Sequence, residues 1–221
     1  MKSETFPEVI RFASIFSVLL PLILYLTKIR SASRSIHKIG GLVLLSAVSD
    51  FIAWYFFNTG QSTVFLVNSY YLAVFAFLAW FYYGLFVQQK LRNVVVTGAA
   101  VYAIAFVLIT LFVQPYGEYQ TFMWTLTGMI AMIFSIAYFL SVFSAEQPMD
   151  NHGLLWINSG ILYYFSFNLF LFVMSSYVLT QLAPELTKLI WSFHNVNNIV
   201  KNVLLALGIS YFTTELQRRR I

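Results

Sequence analysis

The 221-residue chain contains no cysteine, which excludes disulfides, thiolate metal sites and cysteine nucleophiles. Charged residues are also scarce: they make up 10% of the chain, against about 25% in soluble domains. Histidine occurs three times, and only His194 falls inside a hydrophobic stretch, which argues against bis-histidine haem ligation. The sequence has no zinc-ligand cluster, Ser-His-Asp arrangement, P-loop or glycine-rich phosphate cradle. We therefore expect no enzyme, no catalytic or metal-binding residue and no cofactor.

Hydrophobic residues dominate what remains, at 60% of the sequence. Seven stretches reach the length of about 20 mostly apolar residues that a membrane-crossing helix needs. They cover residues 9–27, 39–57, 64–87, 94–114, 122–145, 154–180 and 189–213. The loops between them are short, and nothing resembles a separate soluble domain. The sequence predicts an all-α, polytopic membrane protein in which residues 1–221 form one seven-helix transmembrane domain.

Basic residues predict the orientation of these spans. They cluster after the first span, after the third span and at the end of the chain, three places that a seven-span topology puts on one side. The residues are Lys28, Arg30, Arg34, Lys38, Lys90, Arg92, Arg218, Arg219 and Arg220. The positive-inside rule therefore predicts an amino end outside and a carboxyl end in the cytoplasm, with residues 214–221 as a short basic cytoplasmic tail. We expect a multi-pass protein of the bacterial inner membrane.

The seventh span carries six polar residues that share one helical face at 100° per residue. They are His194, Asn195, Asn197, Asn198, Lys201 and Asn202. Hydrogen bonding between helices is one interpretation of such a stripe. We favour a hydrated ligand pocket, because polar groups at membrane depth must face protein or water and the set includes a lysine.

Lys201 needs an anionic neighbour, and Asp50 in the second span is the only acidic residue well inside any span. Counted from the outer boundary, Asp50 lies about 10 Å deep and Lys201 about 18 Å deep. The lysine stem leans toward the outer side, so we expect an Asp50–Lys201 pair, direct or bridged by Asn198 or water. Its role is open: a functional element, or an ion pair that only joins two spans.

Further residues are expected near the outer boundary of the spans. Arg11 in the first span is expected to extend toward the interface and to pair with Glu8. Trp54, Trp124 and Trp191 are expected in the interfacial belt. Spans 2, 3, 6 and 7 should form an outward-facing ligand pocket. Its candidate ligand-binding residues are Asp50, Asn68, Asn168, His194, Asn195, Asn198, Lys201 and Asn202.

A short motif at residues 191–202, Trp-Ser-Phe-His-Asn-Val-Asn-Asn-Ile-Val-Lys-Asn, precedes a last span that runs directly into a basic end. Together with the seven spans and the outer amino end, it resembles the seven-helix sensor regions of bacterial signalling proteins of the sensor-kinase type. The resemblance implies ligand sensing. In that family a kinase or cyclase module follows the last helix. None follows Ile221, so we expect a stand-alone membrane subunit or a sensor whose effector is another chain.

Three functions therefore remain open. The first is a membrane sensor or signalling subunit that binds a small ligand or a proton. The second is a small transporter with a three-one-three arrangement of repeats. The third is a structural subunit of a membrane complex. The expected partners are the lipid bilayer, a small-molecule ligand and a cytoplasmic or membrane protein, and we expect no nucleic acid.

Overall fold

The computed structural model describes residues 5–144 and 152–218, with side chains for 6–144 and 152–211, and every regular element in these ranges is helical. The helices are α1 (Thr5–Ser17), α2 (Leu19–Thr27), α3 (Arg34–Thr59), α4 (Val64–Leu85), α5 (Gln89–Phe112), α6 (Thr121–Phe143), α7 (His152–Gln181) and α8 (Pro184–Arg218). A single 3-10 turn, Ile29–Ser31, follows α2. The all-α prediction is confirmed. Arg219 and Arg220 of the predicted tail lie outside the described residues.

Six predicted spans correspond to helices that are long and apolar enough to cross a membrane. These are α3, α4, α5, α6, α7 and the segment Phe6–Thr27, which joins α1 and α2. The predicted seventh span is α8, which is 35 residues long but does not belong to this group. Its polar residues make α8 less apolar than the helices of this group. The chain therefore has six to seven helices of the membrane-crossing type.

The first span is interrupted at Val18, between α1 and α2. Pro21 causes the break, because it has no backbone N–H to donate to the carbonyl of Ser17. The Leu22 N–H still donates to the Val18 carbonyl (3.2 Å), so α1 and α2 remain two parts of one span. The break lets the two halves choose different neighbours.

The helices form a closed ring in chain order. Each of α2 to α7 packs on its successor, and α8 returns to contact both α1 and α2. The most extensive contact is between α7 and α8, where small residues allow the backbones to approach closely. A Cβ atom placed on Gly208 would lie 2.6 Å from the Gly153 carbonyl oxygen. Because α8 closes the ring, its polar face is turned toward other helices as well as toward the interior.

Short loops make successive helices antiparallel, which defines two ends of the bundle. We call the end at which α1, α4, α6 and α8 begin the amino-terminal end. The two described basic clusters, at residues 28–38 and 90–92, both lie at the opposite end. A buried network closes the interior there: the Tyr82 hydroxyl donates to Asn158 Oδ1 (2.6 Å) and lies 2.6 Å from Ser135 Oγ. The assignment of the amino-terminal end to the outer face stays a prediction.

Candidate functional site

A cavity of about 430 Å³ occupies the amino-terminal half of the bundle. Small-molecule sites have volumes of about 300–1,000 Å³, so this one has the size of a ligand site. Its lining comes from spans 2, 3, 6 and 7 and also from spans 1 and 5. That this cavity is the expected ligand pocket stays a prediction. The lining residues include Arg11, Ile15, Asp50, Ala53, Trp54, Phe57, Tyr70, Tyr71, Tyr119, Trp124, Tyr164, Trp191, His194 and Asn198.

Asn168 of α7 holds the imidazole of His194 at the cavity wall. The Asn168 side chain is fully buried, and its Nδ2 donates to the Tyr164 carbonyl (2.8 Å). Its Oδ1 must therefore be the acceptor for His194 Nδ1, at 3.1 Å. This assigns the proton of a neutral imidazole to Nδ1 and leaves Nε2 as an acceptor. Asn168 itself lies behind the cavity, where it orients a lining residue.

Part of the polar stripe joins α8 to α1. Asn198 Nδ2 donates to Ser14 Oγ (2.9 Å), and Asn202 Nδ2 donates to Ser17 Oγ (2.7 Å). The two asparagines are four residues apart and the two serines three apart, so both pairs lie on facing helical surfaces. Asn198 also lines the cavity, which places it in both roles.

Asn197 connects α8 to α7. Its Oδ1 accepts from the Tyr163 hydroxyl (3.0 Å), and its Nδ2 donates weakly to Asn168 Oδ1 (3.4 Å). It is 1% exposed and does not line the cavity. The stripe is therefore divided between the two interpretations offered by the sequence: some residues hold helices together and others face an internal space.

Lys201 lies beneath the large cavity. It lines a separate space of about 20 Å³, and a space of this size holds about one water. Its Nζ is 4.5 Å from the centre of the Tyr164 ring, a cation–π contact. Tyr70 and Tyr164 line both cavities and stand between them. Asn202 lies beside Lys201 in the lower space.

Asp50 lines the large cavity and interacts electrostatically with Lys201. The two side chains do not form an ion pair, which requires an N···O distance of 4.0 Å or less. The direct form of the expected pair is therefore absent. The bridged form stays a prediction, and the lysine uses the Tyr164 ring in place of a carboxylate.

Besides Asn168, two candidate residues line neither cavity, Asn68 and Asn195. Asn68 is 4% exposed, and its amide clamps the α5–α6 loop. Its Nδ2 donates to the carbonyls of Tyr116 (3.0 Å) and Glu118 (2.7 Å), and its Oδ1 accepts from the Gln120 N–H (3.1 Å). Asn195 is half-buried and lines neither space. Polarity inside a span selected both residues, but it could not show which groups each amide would bond.

Arg11 and Trp124 are among the lining residues that the sequence did not assign to the pocket. Arg11 was expected to pair with Glu8, but its Nε is buried without a hydrogen-bond partner and its guanidinium lies 4.5 Å from the centre of the Phe57 ring. Trp124 was expected in the interfacial belt, but it is 2% exposed and stacks on Tyr71. Its Nε1 is likewise buried without a partner. The available signal was the presence of a charged residue inside a span.

The site combines an aromatic wall with a few separated polar groups. Within residues 5–144 and 152–218 no group of three or more His, Cys, Asp or Glu residues could hold a metal ion.

Comparison with protein-family models, with curated proteins and with solved structures gives no match for this chain. The resemblance to sensor regions therefore stays a prediction. Fold and cavity together define the class: a polytopic helical membrane protein with an internal space of ligand size.

Proposed function

We propose that this chain is a sensor or signalling subunit in the bacterial inner membrane. It binds a small ligand in the large cavity. One observation carries the proposal: the two buried side-chain atoms that lack a hydrogen-bond partner in the described residues, Arg11 Nε and Trp124 Nε1, belong to residues that line the same cavity. Buried polar groups are normally satisfied, so two unsatisfied donors beside one cavity favour a site whose wall rearranges when a ligand binds.

A ligand in this cavity would act on α8. His194 and Asn198 both line it, and both also hydrogen-bond to a neighbouring helix. A ligand that binds the side-chain atoms of His194 and Asn198 not used in these hydrogen bonds changes the relative strength of the bonds to α7 and α1. The packing of α8 against α1 and α7 then shifts. With the amino end outside, the far end of α8 would pass that shift to a cytoplasmic or membrane protein partner.

The absence of cysteine makes this testable by spin labelling. Cysteines introduced at Leu207 of α8 and Val96 of α5, both exposed to the surroundings of the bundle, would report the distance between these helices. We expect ligands found by thermal-shift screening to change that distance in lipid nanodiscs, and His194→Leu to abolish the change. A bound ligand that leaves the distance unaltered would contradict the sensor proposal.

A transporter is the second candidate, because the two cavities are neighbours that share Tyr70 and Tyr164 in their walls. Transport would require these rings to part and Lys201 to meet the substrate at the lower level. Uptake of the bound compound into proteoliposomes would establish this alternative. If the chain shows neither ligand binding nor uptake, the third function, a structural subunit, is the one that remains.

A further inference from the structure

The amino-terminal half of the first span is poorly attached to its neighbour in the ring. Beyond the break at Val18, α2 packs on α3, whereas α1 packs mainly on α8 and only sparsely on α3. We call the line between α1 and α3 the α1–α3 seam. The large cavity lies across it, because Arg11 and Ile15 line it from one side and Ala53 and Phe57 from the other.

Phe57 shows that the cavity reaches the side of the bundle. Its side chain lines the cavity and is nevertheless 62% exposed. It lies two residues before the end of α3, about 3 Å from the end of that helix, so the opening is at the level of a membrane interface. The Arg11 guanidinium over the Phe57 ring is the contact that bridges the seam there.

The charges at the cavity favour an anion. Asp50 is the carboxylate of the lining, and it already interacts with the Lys201 ammonium below. Among the described residues no carboxylate lies within ion-pair distance of Arg11, and its Nε is buried without a partner. The indole N–H of Trp124 is a second buried donor without an acceptor. Both unmet requirements are for acceptors, and one of them carries a positive charge.

The rest of the wall favours an apolar body. Aromatic residues are the most frequent type in the lining, notably Trp54, Tyr71 and Trp191. Such rings bury large apolar areas while offering few hydrogen bonds. A ligand that satisfies Arg11 and fills this volume therefore has one anionic head and a hydrophobic remainder.

We propose that the cavity binds an amphipathic organic anion of the alkyl-carboxylate class, which enters from the lipid phase through the α1–α3 seam. Its head lies at Arg11, its chain lies among the aromatic rings, and the Arg11–Phe57 contact opens to admit it. The inference rests on the ligand-binding function proposed above and names the chemistry of its ligand.

Three probes with the same chain test the head group. Bromoundecanoate, bromoundecanol and bromoundecyl trimethylammonium quench tryptophan fluorescence at short range, and Trp54, Trp124 and Trp191 line the cavity. With the full chain in zwitterionic phosphatidylcholine nanodiscs, we expect saturable quenching by the carboxylate that unbrominated undecanoate reverses. The alcohol and the cation should bind at least tenfold more weakly. Equal binding of the three probes would overturn the proposal.

Arg11→Gln should weaken carboxylate binding at least tenfold and leave alcohol binding unchanged. The matched control is Lys188→Gln, which removes an exposed cation from α8 at the same end of the bundle without touching the cavity. A thermal unfolding midpoint close to that of the parent chain shows that each variant is folded. An Arg11→Gln variant that is folded and binds the carboxylate with parent affinity contradicts the proposed position of the head.

The route is tested by rates. Phe57→Ala should raise the association rate of bromoundecanoate and Phe57→Trp should lower it, each severalfold in stopped-flow quenching. Phe112→Ala on α5, which removes a ring that is 78% exposed and outside the cavity, should leave the rate unchanged. Association rates that stay unchanged in both Phe57 variants would exclude entrance through the seam.

The two proposals fail separately. If the carboxylate binds in an Arg11-dependent way but the α8–α5 distance stays constant, the ligand class stands and sensing fails. If the carboxylate does not bind but another compound moves α8, sensing stands and the ligand class fails.

Discussion

His194 Nδ1 lies 3.1 Å from Asn168 Oδ1, and this contact ties the cavity wall on α8 to the buried face of α7. Asn168 Oδ1 also receives Nδ2 of Asn197 at 3.4 Å. One buried amide oxygen thus serves two polar residues of the neighbouring helix. The conformation of the histidine that faces the cavity is therefore set from behind, by a residue that no ligand needs to touch.

Asn168→Leu is expected to destabilise the protein by about 1–3 kcal/mol, because it leaves the His194 and Asn197 donors without their acceptor. The measurement is the unfolding midpoint of the purified chain in detergent. Asn195→Leu is the control: this asparagine lies on α8 next to His194, lines neither cavity, and its change should stay within about 0.5 kcal/mol. Similar losses in the two variants would show that the Asn168 network does not contribute specifically.

The serines of α1 are expected to couple to the asparagines of α8. Ser17→Ala and Asn202→Ala each remove one side of a 2.7 Å hydrogen bond, and so should cost less together than the sum of the single changes. Hydrogen bonds between membrane helices contribute about 0.6 kcal/mol on average, which sets the expected coupling. A double-mutant cycle measures it. Combining Ser17→Ala with Asn198→Ala, which loses the separate bond to Ser14, gives the additive control.

Gly208→Ala is expected to destabilise the α7–α8 contact by about 1–3 kcal/mol. The added methyl carbon would lie 2.6 Å from the Gly153 carbonyl oxygen and 3.0 Å from the Ile157 nitrogen, and backbone atoms cannot move aside as a side chain can. Gly117→Ala serves as the control, because no heavy atom lies within 4 Å of its Cβ position. Thermal unfolding of both variants decides the matter, and an unaffected Gly208→Ala would mean that the helices separate easily.

Most of the fold could be predicted because membrane-crossing helices leave a strong signal. Length and apolarity located the spans to within a few residues. The described basic clusters fall at one end, as the short loops require. What apolarity could not show is the packing of neighbours, since lipid-facing and buried apolar residues look alike in sequence.

The candidate site was predictable only in part. Polarity at membrane depth identified Asp50, His194 and Asn198, which do line the large cavity. The same signal selected Asn68, because a buried amide that clamps a loop and one that faces a ligand have the same composition. Trp124 was missed for the converse reason: an indole near a span boundary is usually interfacial, and only the packing on Tyr71 reveals that it is buried.

Asp50 and Lys201 give the last prediction. The two charges interact without forming an ion pair, so removing either one leaves the other less compensated inside the bundle. Asp50→Asn and Lys201→Met should each destabilise the protein, whereas the double variant should recover part of the loss, with a coupling energy of about 0.5–3 kcal/mol. Lys188→Met removes an exposed lysine from α8, the helix that also carries Lys201. Its effect should simply add to that of Asp50→Asn. The unfolding midpoints of the five variants give both cycles. If the Lys201 and Lys188 cycles are equally additive, then Lys201 is held by the Tyr164 ring alone and the carboxylate of Asp50 is free to serve a ligand.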